Sequence, residues 1–329
     1  MAGVAAAVST SMAPWQQRAH DQALASLAAG RLGHALLLCG PAGLGKRAVA
    51  DRLAAHILSA GADASAQART RALIAAGTHP DLHVVSFVPN KEGTRLRTEI
   101  VIDQIRELGQ QLALTPQYGV AQVAVVDPAD ALNTAACNAL LKTLEEPAPA
   151  RYLWLVSARP ARLPATIRSR CQRLEFRLPP RDEALAWLRG QGHDAQAAAE
   201  ALDAAGGHPG LAAEWLGGDG LALRRGIAAD LAAVEAGRAD PLETALRWSA
   251  DELAVERLRH AAEHVLERVR SPAGLTDPDR LNKLAAWFDD ANRARELLRS
   301  TVRADLVMAD LLLAWRDASR QQAGKGDNR

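Results

Sequence analysis

The fold of this chain is decided by the stretch Gly-Pro-Ala-Gly-Leu-Gly-Lys-Arg at residues 40–47. We call it the phosphate loop, because it matches the pattern G-x-x-x-x-G-K-[ST] at every position except the last. That last position normally supplies a hydroxyl group to Mg²⁺, and Arg47 stands there instead. A guanidinium stays protonated and cannot bind a cation. The loop is therefore predicted to hold a nucleotide and to be poorly equipped to hydrolyse it.

The segments on both sides of the phosphate loop come in the order that such a loop requires. Residues 35–39 form a short apolar run that predicts a strand, and residues 47–58 resume helical spacing. Between a strand and a helix N-terminus, glycines let backbone N–H groups point at phosphate, and the lysine supplies a positive charge. The predicted nucleotide ligands in the loop are its three glycines and its lysine: Gly40, Gly43, Gly45 and Lys46.

Length, charge and cysteine content limit the classes of function. A chain of 329 residues is long enough for about two domains. Its net charge of +1 excludes a global attraction to nucleic acid or acidic lipid. The three cysteines lie too far apart for a C-x-x-C metal site or a disulfide framework, which favours a reducing cytoplasm. No uncharged apolar run is long enough to span a membrane, so we expect a soluble protein, and the cysteine pattern places it in the cytoplasm.

Four more apolar runs alternate with helical patterns after the loop. The predicted strands are residues 82–88, 120–127, 152–157 and 172–176. With the strand before the phosphate loop they predict an α/β domain with a five-stranded parallel sheet and helices on both faces. Pro179 and Pro180 then break the chain, and the remainder is predicted to be helical, with a hinge at 217–220. The predicted packing stripe of the last helix is Val302, Leu306, Ala309 and Leu313.

The residues around the loop lack parts that nucleotide hydrolysis needs. Phosphoryl transfer on such a loop requires a hydroxyl and an aspartate around Mg²⁺, a base that orients water, and an arginine for developing charge. Asp127 ends a predicted strand and is suited to Mg²⁺, but Pro128 follows it and cannot accept a proton. Glu145 and Glu146 end the next predicted helix, which Asn133 is placed to cap. They lie too far from Asp127 to serve as the missing base and are interpreted as a solvated helix end. Two acids there conflict with the helix dipole and usually pair with a partner or a nearby cation.

Three motifs resemble a known family. Residues 138–147, Asn-Ala-Leu-Leu-Lys-Thr-Leu-Glu-Glu-Pro, and residues 169–171, Ser-Arg-Cys, resemble the clamp-loader branch of the AAA+ ATPases. Residues 77–81, Gly-Thr-His-Pro-Asp, resemble within that branch the delta-prime family of bacterial DNA polymerase III subunits. The resemblance covers about residues 14–216, and the helical remainder agrees in character.

The resemblance implies a division of the chain into domains. An AAA+ nucleotide-binding domain is expected at 14–178, a three-helix lid at 179–217 and a helical collar that joins subunits at 218–320. Disordered segments are expected at 1–13 and 321–329. These bounds agree with the chain breaks at the proline pair and at the glycine-rich hinge.

The resemblance also assigns roles to single residues. It implies that Arg170 projects into the ATP site of a neighbouring motor subunit, as an arginine finger acting in trans. Without the family, Arg170 is one of several basic residues near a strand. Ser157 is implied as a contact to the γ-phosphate, whereas Gly210 stands where motor subunits carry a second sensor arginine. Many relatives bind zinc through cysteines in the segment 59–76, where this chain has none, so no zinc is expected.

The sequence therefore predicts a hydrolysis-deficient stator subunit of the DNA polymerase III clamp loader. It is expected to hold ATP or ADP without turnover and to belong to the polymerase holoenzyme by association, with no ATPase of its own. The implied partners are the gamma/tau motor subunits and the delta subunit in a heteropentameric ring, the sliding clamp and, through the complex, primed DNA. No membrane partner is implied.

Two alternatives stay open. The first is an autonomous AAA+ ATPase that uses Lys46 and Asp127 with an unrecognised base. Arg47, Pro128 and Gly210 argue against it. The second is a phosphate loop kept only as a structural turn, without nucleotide affinity. The surviving lysine and glycines favour retained binding over this second alternative.

Overall fold

The structure, a computed structural model, describes residues 12–90, 93–94, 96–118, 120–270, 278–298 and 302–320. The tail expected at 321–329 lies outside the described residues, as does the extension expected at 1–13 except for its last two residues. The chain divides into two compact units, residues 1–212 and residues 213–329. A separate lid between an AAA+ domain and a collar stays a prediction.

A parallel sheet forms the centre of the first unit. Within the described residues its strands are β1 Ala35–Cys39, β2 Leu82–Val85, β3 Gln122–Val126, β4 Arg151–Ser157 and β5 Gln172–Glu175. Their order across the sheet is β2-β3-β4-β1-β5, and every neighbouring pair is parallel. The predicted α/β fold with a five-stranded parallel sheet is therefore confirmed for the described part of the chain.

The helices of the first unit alternate with these strands and then follow them. Those around the sheet are α1 Pro14–Ala28, α2 Lys46–Leu58, α3 Ala64–Ala75, α4 Ile102–Ala113, α5 Thr134–Glu145 and α6 Ala165–Arg168. After the sheet come α7 Arg181–Gly190, α8 Ala195–Ala204 and α9 Pro209–Leu216, and α9 crosses the boundary between the two units. Asn133 caps α5 by accepting a hydrogen bond from the Ala136 N–H at 2.9 Å, which confirms the predicted start of this helix.

Both faces of the sheet are buried, because alternate residues of each strand point to opposite sides. In β1, Leu36 and Leu38 pack in one core with α1 and α2, whereas Leu37 and Cys39 pack in a second core with α4 and α5. Every residue of β1 and of β3 is buried. This explains why these strands are continuous apolar runs in the sequence, as is typical of a parallel sheet covered by helices.

The strand register brings several predicted site residues to one edge of the sheet. Cys39 at the end of β1 is paired with Ser157 at the end of β4. β3 ends at Val126, so Asp127 follows it at the same edge. Because the carboxyl ends of parallel strands meet, the phosphate loop, Asp127 and Ser157 all lie at this edge, the carboxyl edge of the sheet.

The second unit is built from helices that pack around tryptophans. Within the described residues they are α10 Gly220–Glu235, α11 Pro241–Trp248, α12 Ala254–Arg270, α13 Pro278–Leu297 and α14 Ala304–Arg320. Trp287 and Trp315 are buried, and their indole N–H groups donate to the carbonyls of Leu311 at 2.8 Å and Leu231 at 2.9 Å. These bonds satisfy the polar atoms of the two buried rings.

None of the described helices, in either unit, combines the length and apolar character that crossing a bilayer needs.

The predicted packing stripe of the last helix is wrong at Val302 and Leu306, whereas Ala309 packs against the core. Leu306 is 58% exposed and Val302 is 41% exposed. The buried residues of α14 are Met308, Leu311, Leu312 and Trp315. An Ala- and Leu-rich helix offers several stripes at helical spacing, and the one that packs here contains its largest side chain.

Candidate functional site

The phosphate loop joins β1 directly to α2, which brings its three glycines and its lysine together at the carboxyl edge. Gly43 and Gly45 have φ angles of 75° and 76°, in the left-handed region that glycine adopts without strain. α2 begins immediately afterwards, at Lys46. The loop therefore curls in front of a helix N-terminus, a local geometry that is suited to an anion.

Lys46 is buried inside the loop. Its Nζ donates to the carbonyl oxygen of Gly40 at 2.8 Å and to that of Pro41 at 2.6 Å. Burial lowers the pKa of Lys46, and the carboxylates of Asp127 and Asp130 partly offset this effect. The loop thus holds a positive charge among its own carbonyl groups.

Arg47 contacts two carboxylates. Its Nε donates to Oδ1 of Asp51 at 2.7 Å, and its Nη1 lies 3.9 Å from Oδ2 of Asp127. Burial raises the pKa of Asp51, and Arg47 acts against this rise. Burial also raises the pKa of Asp127, against the opposing charges of Arg47 and Lys46. We call these three residues the Arg47 cluster: Asp51, Arg47 and Asp127.

The Arg47 cluster does not fit Mg²⁺. This cation takes oxygen ligands in near-octahedral geometry, and a phosphate loop normally offers it a hydroxyl and a carboxylate. Position 47 here offers nitrogen donors that carry a positive charge. The carboxylate that the sequence assigns to Mg²⁺, on Asp127, faces that same positive charge. The residue at the hydroxyl position and the carboxylate that would bind Mg²⁺ are thus paired with each other.

Ser157 is fully buried, and its hydroxyl is engaged by protein groups. Its Oγ donates to Oδ1 of Asp130 at 2.8 Å and accepts from the Arg159 N–H at 3.1 Å. Asp130 also accepts from the Ala158 N–H at 3.0 Å. Burial opposes the ionisation of Asp130, but these hydrogen bonds outweigh it and lower its pKa. The sequence analysis did not identify Asp130. The feature that could have indicated it is a second carboxylate in the turn that follows Asp127.

The phosphate loop is covered by two other segments of the first unit. Trp15 and Gln16, at the start of α1, donate side-chain N–H groups to the Leu44 carbonyl at 3.1 Å and 3.2 Å. Gly210, near the start of α9, approaches the loop so closely that a Cβ there would overlap the carbonyl oxygen of Gly43. A sensor arginine at position 210 is incompatible with this packing. The sequence carries no local signal for either contact, since both join distant residues.

Arg170 lies between α6 and β5. Its Nη2 is 2.6 Å from Oε1 of Glu145, and its Nη1 donates to the Thr166 carbonyl at 2.9 Å. Both side chains of the ion pair are partly exposed, Arg170 to 38% and Glu145 to 48%. Glu145 is the last residue of α5, where a cation also matches the helix dipole. The cation that this acidic helix end indicates is therefore Arg170.

The structure does not bring Arg170 to the phosphate loop. Leu36 of β1 is paired with Gln172 of β5, so Arg170 lies beside the start of β1, at the opposite or amino edge of the sheet. Gly40 follows the end of β1 at the carboxyl edge. At about 3.3 Å per residue, the sheet separates the two by roughly 20 Å.

The motif at residues 77–81 has a structural explanation. Asp81 is buried, and its two carboxylate oxygens accept hydrogen bonds from the backbone N–H groups of Gln117 at 2.7 Å and Tyr118 at 3.0 Å. The His79 ring packs 5.4 Å from the Tyr118 ring, measured between centroids. The motif therefore ties the entry of β2 to the turn after α4.

The cysteines show no arrangement for metal binding. Among the residues that the structure describes, no three His, Cys, Asp or Glu side chains are grouped to hold a metal ion. Cys39, Cys137 and Cys171 are buried free thiols, and burial raises the pKa of Cys171 to about 11. The absence of zinc stays a prediction.

Comparisons with known proteins identify the family. The family model described as "DNA polymerase III, delta subunit" matches residues 15–180. Subunit delta' of Escherichia coli DNA polymerase III is 33% identical over 321 residues, which cover 91% of this chain and 94% of the relative. This chain belongs to the delta-prime family of DNA polymerase III subunits.

Two further relatives are similar to this delta-prime chain over shorter stretches. Subunit delta' of Pseudomonas aeruginosa is 42% identical over 219 residues, 64% of this chain and 63% of the relative, so the match spans less than two thirds of that protein. Subunit tau of Bacillus subtilis DNA polymerase III is 30% identical over 150 residues, 45% of this chain and 25% of the relative. The sequence relationship thus extends to a second subunit type of the same polymerase.

Proposed function

We propose that this delta-prime chain is a hydrolysis-deficient stator subunit of the clamp loader. In this role it helps to load the sliding clamp onto primed DNA in the cytoplasm, within a ring that also contains gamma/tau motor subunits and the delta subunit. Its relationship to delta' and tau subunits supports these partners. Its own contribution is structural and in trans, through Arg170.

The observation that carries the proposal is the position of Arg170. The amino edge of the sheet puts this arginine roughly 20 Å from the chain's own phosphate loop, a distance that follows from strand geometry. An arginine finger acts within hydrogen-bond distance of a transferring phosphoryl group, whose oxygens gain negative charge in the transition state. Arg170 is therefore suited to a phosphate that another subunit holds. There the guanidinium would exchange Glu145 and the Thr166 carbonyl for phosphate oxygens.

The carboxyl edge supports the lack of hydrolysis. Pro128 occupies the position of a base and can neither accept a proton nor polarise water. Arg47 replaces the hydroxyl residue and pairs with Asp127. The glycine at 210 packs against the loop where a sensor arginine would stand. We therefore expect no ATP turnover by the isolated chain; turnover that Lys46→Ala abolishes would favour the autonomous ATPase instead.

We also propose that the phosphate loop retains ATP or ADP without turnover, through Lys46 and the loop N–H groups. A second candidate for the loop alone is a structural turn without nucleotide affinity. This second candidate is based on the contacts of Trp15, Gln16 and Gly210 with the loop, which give the loop a packing role. Retention is supported by the left-handed glycines and the lysine at the start of α2. Equilibrium binding of labelled ATP and ADP to the full chain separates the two candidates.

The test of the proposed function is a reconstituted clamp loader that contains Arg170→Ala. An arginine finger contributes about 10³-fold or more to turnover at the site it serves. We expect single-turnover ATP hydrolysis at one neighbouring site and clamp loading on primed DNA both to fall sharply. Arg173→Ala is the matched control, since Arg173 is an exposed arginine of the adjoining strand. Normal hydrolysis and normal loading with Arg170→Ala would show that the finger assignment is wrong.

A further inference from the structure

The Arg47 cluster places a covalently attached cation, the guanidinium, at the position where a phosphate loop normally binds Mg²⁺. The guanidinium belongs to the residue that replaces the Mg²⁺-binding hydroxyl. It lies 3.9 Å from the carboxylate of Asp127, the acid at the end of the buried strand β3. Its Nε is held at 2.7 Å by Asp51, one helical turn further along α2. The side chain is thus anchored at one nitrogen and directed at the acid by another.

We propose that the guanidinium of Arg47 takes the place of Mg²⁺ in this loop, so that the chain binds the pyrophosphate group of a nucleoside di- or triphosphate without a divalent cation. This inference rests on the proposed retention of nucleotide and goes beyond it, because it names the counter-ion. The class of ligand is a free nucleotide rather than a Mg²⁺–nucleotide complex.

Charge balance supports the proposal. A bound nucleotide brings several negative charges, which the loop lysine and Mg²⁺ normally neutralise together. In this chain Lys46 remains, and Arg47 adds a second positive charge that is covalently fixed. A divalent cation that approached Asp127 would meet the guanidinium at short range, and like charges at such distances repel. Within the cluster Arg47 therefore offsets one of the two carboxylates and opposes the metal, and Lys46 supplies further positive charge to the ligand.

The hydrogen-bond capacity of Arg47 is also sufficient. A guanidinium has five N–H donors in a planar fork that suits phosphate oxygens. The bond from Nε to Asp51 uses one of them. The 3.9 Å approach of Nη1 to Asp127 is an ion pair that is longer than a hydrogen bond. Donors on the terminal nitrogens therefore suffice for phosphate without breaking the anchor to Asp51.

The experiment measures binding of fluorescent ADP and fluorescent ATP to the full-length chain, once with MgCl₂ and once with EDTA in its place. We expect the dissociation constants in the two buffers to agree within about threefold. A rise of about tenfold or more in EDTA would overturn the inference while leaving nucleotide retention intact. Absence of binding in both buffers would overturn the inference together with nucleotide retention, and would leave the loop as a structural turn.

Two variants of Arg47 make the test specific. Arg47→Thr restores the hydroxyl of an ordinary phosphate loop, so its binding should become Mg²⁺-dependent by about tenfold. Arg47→Met keeps the length and removes the charge, so its binding should weaken about tenfold in both buffers. Unchanged affinity of Arg47→Met would contradict the proposal. Arg52→Thr removes the same charge from an exposed position of α2 and serves as the control, with thermal unfolding of every variant as the check of folding.

Discussion

The two edges of the sheet hold their charged residues in different ways. At the carboxyl edge, Lys46 is buried against backbone carbonyls, and Arg47 is paired with Asp51 and Asp127. At the amino edge, Arg170 is held by a partly exposed carboxylate and one carbonyl oxygen. Exposed ion pairs are weak and exchange readily, whereas buried charged networks are costly to break. Lys46 is therefore expected to stay inside the loop, and the ion pair of Arg170 is expected to exchange readily. Arg47 has a side chain that is 35% exposed, close to the 38% of Arg170, and differs from it in having two carboxylate partners.

This difference changes the meaning of the phosphate loop. A lysine and three glycines are typical of a nucleotide site, yet in the function that we propose the neighbouring positions lack the groups that hydrolysis needs. In this proposal Pro128 stands at the position of a base, Arg47 at that of a metal ligand and Gly210 at that of a sensor arginine. The loop still organises the first unit, because β1 and α2 meet there. The chemistry that we propose lies instead at Arg170, in another subunit's site.

Among substitutions that test the difference between the two edges, the largest loss of stability is expected at Asp130 of the carboxyl edge. Asp130→Ala removes the acceptor of the buried Ser157 hydroxyl and of the partly buried Ala158 N–H, and leaves both groups without this partner. We expect the free energy of unfolding to fall by about 3 kcal/mol at neutral pH, since hydrogen bonds to a charged group contribute about 1.5–3 kcal/mol each. Urea unfolding measures the change. Asp103→Ala, at an 83% exposed side chain, is the control and should have little effect.

The pH dependence of the stability difference between wild type and Asp130→Ala tests whether the ionised carboxylate is responsible. The folded-state pKa of Asp130 is lowered, so its contribution is fully present above the unfolded pKa of about 4 and is lost as the pH falls through the lower folded value. The stability difference between wild type and Asp130→Ala should therefore shrink below about pH 4. A difference that stays constant between neutral and acidic pH would mean that ionised Asp130 is not what stabilises this edge.

A smaller effect is expected where the start of α9 meets the loop. Gly210→Ala places a Cβ against the carbonyl oxygen of Gly43, so the backbone must shift. Overpacking of this kind costs about 1–3 kcal/mol, and we expect about 2 kcal/mol here by urea unfolding. Gly190→Ala is the matched control, because nothing lies within 4 Å of a Cβ at that position. Equal stabilities of the two variants would show that α9 is not packed on the loop.

The smallest effect is expected at the ion pair of the amino edge. Glu145→Gln removes the charge that holds Arg170, and exposed pairs contribute about 0.2–1 kcal/mol, so stability should change little. In the reconstituted complex, ATP turnover should stay within about threefold of wild type or rise, because Arg170 is released rather than lost. Glu146→Gln is the control. A loss as large as that of Arg170→Ala would instead make Glu145 a positioning residue for the arginine.

Patterns among neighbouring residues predicted the strands and helices, but they did not predict contacts between residues that are distant in the sequence. The sheet follows from continuous apolar runs, and the start of α5 follows from Asn133, because both depend on neighbouring residues. The contacts of Glu145 with Arg170 and of Gly210 with Gly43 join residues that are distant in sequence. No spacing rule contains them. The buried face of α14 was mispredicted for the same reason, since the surrounding helices select it.

The part of the site that local signals predicted is the loop itself and the carboxylate after β3. The engagement of Ser157 by Asp130 was not predictable, because it depends on how two adjacent strands end in space. The opposite locations of Arg170 and the loop were also not predictable from residue types. They follow from the strand order, which places β5 beside β1 in parallel.

The central claim, that Arg170 serves another subunit's nucleotide, is tested most directly by photo-crosslinking. The probe is an ATP analogue with a photoreactive group on its γ-phosphate, and the readout is its covalent attachment to residues 169–171. We expect labelling only in the assembled complex, and we expect Lys46→Ala in this chain to leave that labelling unchanged. Labelling of the isolated chain that Lys46→Ala abolishes, or no labelling in the complex, would contradict the account.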